Sequence, residues 1–307
     1  MSSFRDPRVL IPFIVITLIW GSTWLVITGQ LGTVPPLWSV TYRFAIGAAT
    51  MFVVTAASGI SLRIGREGHW LAALVGFTQF CLNYNFVYLS EQYITSGLTA
   101  VIFALLLVPN SLFARLFLGH RFGLRFLVGS IVAMAGAALL FVQEVRASPR
   151  DAHDVLAGIG LALIAVLSAS VANVVQAAEQ VRTRSLPAMI SWAMLYGVVI
   201  NAPAAWLFSG PPVIELDFVY LAGLLYLGLV ASALAFTFYF HVIRAVGPGP
   251  AAYSSLLIPI IAMTLSTLFE GYVWSMLAVV GALLTLAGLF IALRPDRPVP
   301  KDDRVGG

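Results

Sequence analysis

Gln79 and Asn83 stand four residues apart in one apolar run, and Trp20 and Trp24 stand four apart in another. Residues spaced by four share a helix face. One pair therefore offers two amides that give and take hydrogen bonds, the other two indoles suited to stacking on flat or apolar surfaces. Thr23, Asn173, Tyr239 and Tyr253 add polar groups from these and other apolar runs. Arg43 is the one full charge well inside such a run, and its planar guanidinium suits a carboxylate or another anion. The same groups can serve structure alone: amides linking helices, indoles packing, Arg43 bridging neighbours. Either way this is the chemistry of holding a small molecule rather than of breaking bonds. No H-E-x-x-H, P-loop or paired-carboxylate pattern occurs, and Ser22 and Ser96, although beside glycines, have no histidine at their depth. Gly158-Ile159-Gly160 opens an apolar run and reads as helix packing. Cys81, the single cysteine, reads as a small apolar residue. Nothing calls for a metal or a cofactor.

The elements that must position these groups are marked by missing charge. Ten stretches contain no Asp, Glu, Lys or Arg: 9–42, 44–62, 68–90, 92–114, 126–143, 155–178, 185–214, 218–243, 245–269 and 271–293. A membrane-crossing helix needs ~20 mainly apolar residues. The chain is 60% hydrophobic and 10% charged, against roughly 45–50% and ~25% for soluble domains. The pattern predicts an all-α integral membrane protein with ten transmembrane helices near 9–29, 36–57, 68–89, 94–118, 126–143, 155–177, 187–208, 218–241, 246–269 and 272–293. The first run is longer than a signal-peptide core and lacks a clear cleavage site, so it reads as a retained span. With the N-terminus in the cytoplasm, 14 of the 17 Lys and Arg residues fall on or near that side, against Arg146 and Arg150 outside and Arg43 within a span. Such a bias sets orientation and places both termini in the cytoplasm. These charges sit in short loops rather than in one patch, which argues against nucleic acid as a partner. Trp38, Trp70, Trp192, Trp206 and Trp274 lie near span ends, where indoles favour the lipid–water interface.

The two halves repeat each other. A shift of 150 residues lays Phe86 on Phe236, Gly97 on Gly247, Leu106 on Leu256, Leu107 on Leu257, Pro109 on Pro259 and Leu118 on Leu268. A shift of 152 lays Gly129 and Gly136 on Gly281 and Gly288. Each glycine pair is seven apart, on one helix face, where small residues let helices approach closely in lipid. Five spans per copy is an odd number, so the copies are inverted, with residues 1–143 and 155–293 as the repeats, 144–154 as an external linker and 294–307 as a cytoplasmic tail. Inverted repeats permit one half to rock against the other around a midplane site. Pro109 and Pro259, each removing a helical hydrogen bond, are candidate conformational hinges, with an ordinary helix kink as the alternative.

Trp20-Gly21-Ser22, Arg43-Phe44, the Phe86 to Gly97 stretch and Leu107-Val108-Pro109 resemble the EamA type of the drug/metabolite transporter superfamily. Phe236 to Gly247 and Leu257-Ile258-Pro259 repeat that pattern in the second half. The likeness spans about residues 9–293. Members often end spans four and nine with an acidic residue; here span nine ends in Phe269-Glu270-Gly271 but span four in Gly119-His120-Arg121. The resemblance implies a ten-helix carrier of the cell inner membrane, exporting amino acids, other small metabolites or drugs, and not an enzyme. The expected substrate-binding set is Trp20, Thr23, Trp24, Arg43, Gln79, Asn83, Asn173, Tyr239 and Tyr253. The expected partners are a small-molecule substrate and the lipid bilayer, with a homodimer left open. No carboxylate lies deep in any predicted span; Glu91 and Glu270 fall at outer ends, which predicts facilitated or loosely proton-linked transport. An intramembrane lipid-modifying enzyme is the competing reading.

Overall fold

A computed structural model describes residues 6–119, 123–148, 150–246 and 254–293. Among them the regular structure is helical throughout. Helix α1 (Pro7–Thr28) starts where the Asp6 carboxylate accepts the Arg8 backbone N–H at 2.9 Å, with Pro7 at the first position, where a missing N–H costs nothing. Then come α2 (Pro36–Ala57), α3 (Gly65–Val75), α4 (Tyr84–Ser90), α5 (Ser96–Ala104), α6 (Leu107–Leu118), α7 (Leu124–Ala147) and α8 (Ala152–Ala177). The short α9 (Glu179–Arg182), α10 (Leu186–Ser209), α11 (Phe218–Leu225) and α12 (Ala235–Val246) follow, with α13 (Ser254–Phe269) and α14 (Met276–Leu293) last. Seven helical stretches are long and apolar enough to cross a membrane: Pro7–Thr28, Pro36–Ala57, Ser96–Leu118, Leu124–Ala147, Ala152–Gln176, Leu186–Ser209 and Phe218–Tyr239. The predicted third span is the continuous helical run from Gly65 to Ser90. The ninth and tenth correspond to the shorter apolar helices Leu257–Phe269 and Met276–Ala292. Tyr253, His120 and Gly247 lie outside the described residues.

Two stretches depart from α-helical winding. Gly76–Asn83, between α3 and α4, and Tyr226–Leu234, between α11 and α12, are π-helical. They begin 150 residues apart, the offset on which the two halves of the sequence align. The Ser232 hydroxyl follows the wider winding, donating at 2.8 Å to the Leu227 carbonyl five residues back. Period-four reading of Gln79 and Asn83 could not find this, because apolar spacing does not separate one helical winding from another over a single turn.

Pro109 explains a second departure. The predicted span 94–118 is broken between Ala104 and Leu107. A proline ring clashes with the carbonyl four residues back, here Leu105, which lies at the break. Pro259, its counterpart on the 150-residue offset, sits inside the unbroken α13. The matched prolines are therefore not matched in local structure.

α7 and α14 pack backbone to backbone. A Cβ added to Gly136 would meet the Gly281 carbonyl, and one added to Gly288 would meet the Gly129 carbonyl and the Ala133 backbone. The two glycine pairs thus face each other across one seam, but crosswise: Gly136 meets Gly281 and Gly129 meets Gly288, whereas the 152-residue shift lays Gly129 on Gly281 and Gly136 on Gly288. Outward side chains such as Leu127, Ile131, Met134 and Leu283 are exposed, as a lipid-facing surface requires. The tryptophans divide. Trp70 and Trp206 are exposed, but Trp38 is buried and donates to the Gly210 carbonyl at 3.1 Å, and Trp192 donates to the Leu62 carbonyl at 2.9 Å. Position near a span end does not distinguish an indole that faces lipid from one that ties down a loop.

Candidate functional site

α1 runs through the middle of the molecule, touching α5, α12, α13 and the second π segment. Gly21 makes this possible: a Cβ there would meet the Ile261 side chain of α13 at 2.7 Å. Beside α1 lies a cavity of about 230 Å³. Trp20, Thr23, Trp24, Gln79, Asn83, Asn173 and Tyr239 all line it, brought together from α1, the first π segment, α8 and α12. Pro259 lines it too; Pro109 does not.

The lining is already organised. Asn83 donates to the Ala165 carbonyl at 2.9 Å and accepts from the Gln79 amide at 3.3 Å, so the amide pair is anchored to α8. Asn173 donates to the Asn110 side chain at 3.4 Å. Trp20 donates to the Ala231 carbonyl of the second π segment at 3.2 Å and packs its ring against Tyr239 and Phe236, with centroids 5.0 and 5.6 Å away. Trp24 packs on Phe103 at 4.9 Å, and its indole N–H is buried without a partner. Trp24 lines the cavity with its ring, while that orphaned donor is itself buried. The Thr23 hydroxyl donates to the Ile19 carbonyl at 2.8 Å. Among the described residues lining the cavity there is no Asp, Glu, Lys, Arg or His.

Arg43 stands behind this wall rather than in it. It is fully buried, its Nε donates to the Ser232 hydroxyl at 3.3 Å, and its guanidinium carbon lies 4.3 Å from the centroid of the Tyr84 ring. Tyr84 in turn lines the cavity. Nη1 and Nη2 have no hydrogen-bond partner. The Tyr88 hydroxyl and the Glu91 carboxyl also act on its charge, but a buried cation without a bidentate partner can cost more in desolvation than it regains. Arg43→Met, which keeps the volume and drops the charge, is therefore expected to melt at or above the wild-type temperature. Arg43→Ala is expected to lose the ~2–5 kcal/mol of a core truncation. Dye labelling of the buried Cys81 during a thermal ramp reads both, and a lower melting temperature for Arg43→Met would sink the argument.

Asn110 and Tyr84 belong to the cavity and were not singled out by sequence. Asn110 follows Pro109, and the helix break that turns it inward is a signal that adjacency to the proline carries. Tyr84 had no such marker. Asn85, polar and near Asn83 in sequence, turns away instead, donating to the Cys81 carbonyl at 2.9 Å and to Asn201.

Beyond the end of α1 a second, more polar recess opens. Glu91, Glu144, Arg150, Glu270 and Tyr272 are among its lining residues. Ile27 faces the cavity and Thr28, next to it, contacts Glu91 and Glu270. Val87 lines the cavity and Glu91, four residues on, lines the recess, a separation of about 6 Å along a helix. One helical turn thus divides the two spaces. Glu91, at a predicted span end, is 6% exposed.

Apolar helices here surround a mainly aromatic and aliphatic cavity edged by a few amides and hydroxyls. The chain belongs to the EamA-like transporter family, whose family model matches residues 8–142 and 156–294; it is a multi-pass membrane protein. Protein PagO of Salmonella typhimurium is 24% identical over 94% of this chain and 94% of its own length. A probable amino-acid metabolite efflux pump of the same organism is 24% identical, covering 96% of this chain and 97% of its own. A probable terminal-alkyne amino-acid exporter of Streptantibioticus cattleyicolor is 25% identical, covering 82% of each.

Proposed function

We propose that the protein is a secondary transporter of the bacterial inner membrane that exports small electroneutral metabolites, amino acids foremost, by alternating access of two inverted five-helix halves. In this reading there are ten spans, the repeats are residues 1–143 and 155–293, both termini are cytoplasmic, and the recess beyond Thr28 opens outside. The observation that carries it is the cavity itself, lined from both halves by indoles and amides and, among the described residues, by no ionised group. At about 230 Å³ it is smaller than the roughly 300–1,000 Å³ of drug-sized sites, which favours a metabolite over a drug. The described lining offers dipoles and no full charge, so a solute whose carboxylate and ammonium compensate each other is desolvated at less cost than a lone ion. The π segments, placed on the same 150-residue offset, support the repeat, and the names of two relatives support amino acids as cargo. Trp20, Trp24, Gln79, Asn83, Asn173 and Tyr239 contact substrate in this reading. Arg43 supports Tyr84 from behind, and Pro109 marks where one half bends.

The test is flux in proteoliposomes of purified protein, with labelled neutral amino acids, nucleobases and cationic drugs as the panel. Saturable flux is expected for neutral amino acids. Trp20→Ala is expected to raise KM about tenfold for aromatic and large apolar ones, the scale of a lost ring contact. Flux of cationic drugs without flux of any neutral amino acid would overturn the assignment.

A further inference from the structure

The recess at the Thr28 end holds an arrangement that substrate binding does not explain. Thr28 Oγ1 lies 3.1 Å from Glu91 Oε2 and 3.2 Å from Glu270 Oε1. A threonine hydroxyl has one hydrogen to donate and two lone pairs to accept with. That hydrogen serves one acceptor at a time, either of the nearer carboxylates or, at a longer 3.4 Å, the Trp24 carbonyl. For the other carboxylate contact to be a hydrogen bond, that carboxyl must itself carry a proton and donate it to the Thr28 oxygen. The geometry fits two carboxyl groups, one hydroxyl and one shared proton.

The surroundings agree. Glu270 is well supplied, accepting from the Ser96 backbone N–H at 3.3 Å and from the Ser96 hydroxyl. Glu91 is not: its Oε1 is buried without a partner. The Tyr272 hydroxyl, in a side chain only 8% exposed that lines the same recess, also lacks one. A bare ionised oxygen so placed is costly, and a neutral carboxyl far less so. Burial pushes the Glu91 carboxyl well above its ordinary value against the pull of the Thr28 hydrogen bond; the charge of Glu270 adds to the rise and that of Arg43 opposes it. The other titratable groups turned on this site are Tyr88 from α4 itself, Glu144 from α7, and Tyr93, Arg150 and Tyr272 around the recess.

We propose that Glu91 and Glu270, joined through Thr28, hold one exchangeable proton whose binding and release are coupled to the emptying of the central cavity. The proton comes from water in the recess, forms an O–H bond on one carboxylate, and leaves to the opposite compartment when that bond breaks. With it bound, α1, the end of α4 and the turn after α13 are tied together one helical turn beyond the cavity. Without it, two like charges face each other across one hydroxyl and push these elements apart. The coupling rests on the carrier reading given above; the proton site does not.

Infrared difference spectra of the protein in nanodiscs, titrated across pH, test the site directly. The wild type is expected to keep a protonated-carboxyl band above the ordinary carboxylate range and to lose it in one step. Glu91→Gln should abolish the band, Glu270→Gln should move its loss to lower pH, and Glu67→Gln should leave it. No such band in the wild type, its survival in Glu91→Gln, or its loss in Glu144→Gln alone would overturn the proposal. Proteoliposomes with a labelled mixture of neutral amino acids test the coupling. A one-unit pH gradient is expected to sustain about tenfold accumulation for one proton per solute. Both glutamine variants should lose accumulation yet retain exchange at equal pH on the two sides. Undiminished accumulation in both variants, or its dependence on a sodium gradient instead, overturns the coupling. A wild type without exchange at equal pH defeats the carrier reading, while the infrared result still decides the proton site.

Discussion

Asn83→Leu is expected to lower transport efficiency by about 10- to 100-fold. Two losses combine. The substitution removes an amide from the cavity wall, and it leaves the Gln79 amide, which donates to Asn83 at 3.3 Å, without its buried acceptor. Stranding a buried polar group costs about 1–3 kcal/mol of stability, and losing an amide that bonds substrate carries a similar scale into transport, roughly one to two powers of ten. The same arithmetic predicts how stability and function separate. Replacing Gln79 and Asn83 together by leucine removes both partners, and such paired replacements approach neutrality. The double variant should therefore recover much of the melting temperature lost by Asn83→Leu alone while transport stays low. A double-mutant cycle on both readouts measures this. Full transport in Asn83→Leu would remove the amide pair from the site.

Gly288→Val is expected to damage folding severely. A Cβ at position 288 meets the backbone of Ala133 and Gly129, and backbone cannot swing aside as a flexible side chain can. Overpacking typically costs 1–3 kcal/mol and occasionally more. With three added carbons against rigid atoms, about 3 kcal/mol is expected, a large share of the ~5–15 kcal/mol that holds a folded protein together. Cys81, the single cysteine, is buried and donates to the Asn201 side chain at 3.4 Å. Its labelling by a thiol dye should begin at a markedly lower temperature in Gly288→Val. Gly160→Val, where nothing lies within 4 Å of an added Cβ, is the matched control and should melt close to the wild type. Equal melting of the two variants would show that the seam is not close-packed.

Much of the site could be read from the sequence because its signals are local. Trp20 with Trp24, and Gln79 with Asn83, are polar or aromatic pairs inside charge-free runs, and such groups must face protein or a cavity rather than lipid. Asn173 and Tyr239 followed by the same logic, and all six line the cavity. Arg43 shows the limit. Its charge marked it as buried and special, but only packing reveals that Tyr84 stands between it and the cavity. Glu91 shows the opposite limit. Counting charge-free residues placed it at a span end, and nothing local says that α1, α5 and the turn after α13 converge to cover it. The π segments were equally hidden, since hydrophobic spacing encodes which face is apolar and not how tightly the turn is wound. Asn110 needed one further step, from a proline to the helix break it causes and on to the side chain that the break redirects.

The glycine seam between α7 and α14 also sets a schedule. α7 ends at Ala147 and α14 at Leu293, so α7 emerges from synthesis with its closest-packed neighbour still 146 residues away from completion. At 5–20 residues per second that interval lasts roughly 7–29 s. Throughout it the bare backbone track at Gly129 and Gly136 has no helix to lie against. Some other surface, a lipid chain or the insertion machinery, must occupy that track until the last helix arrives to displace it. The newborn chain is therefore most vulnerable to misassembly not at its start but in the long middle of its own making.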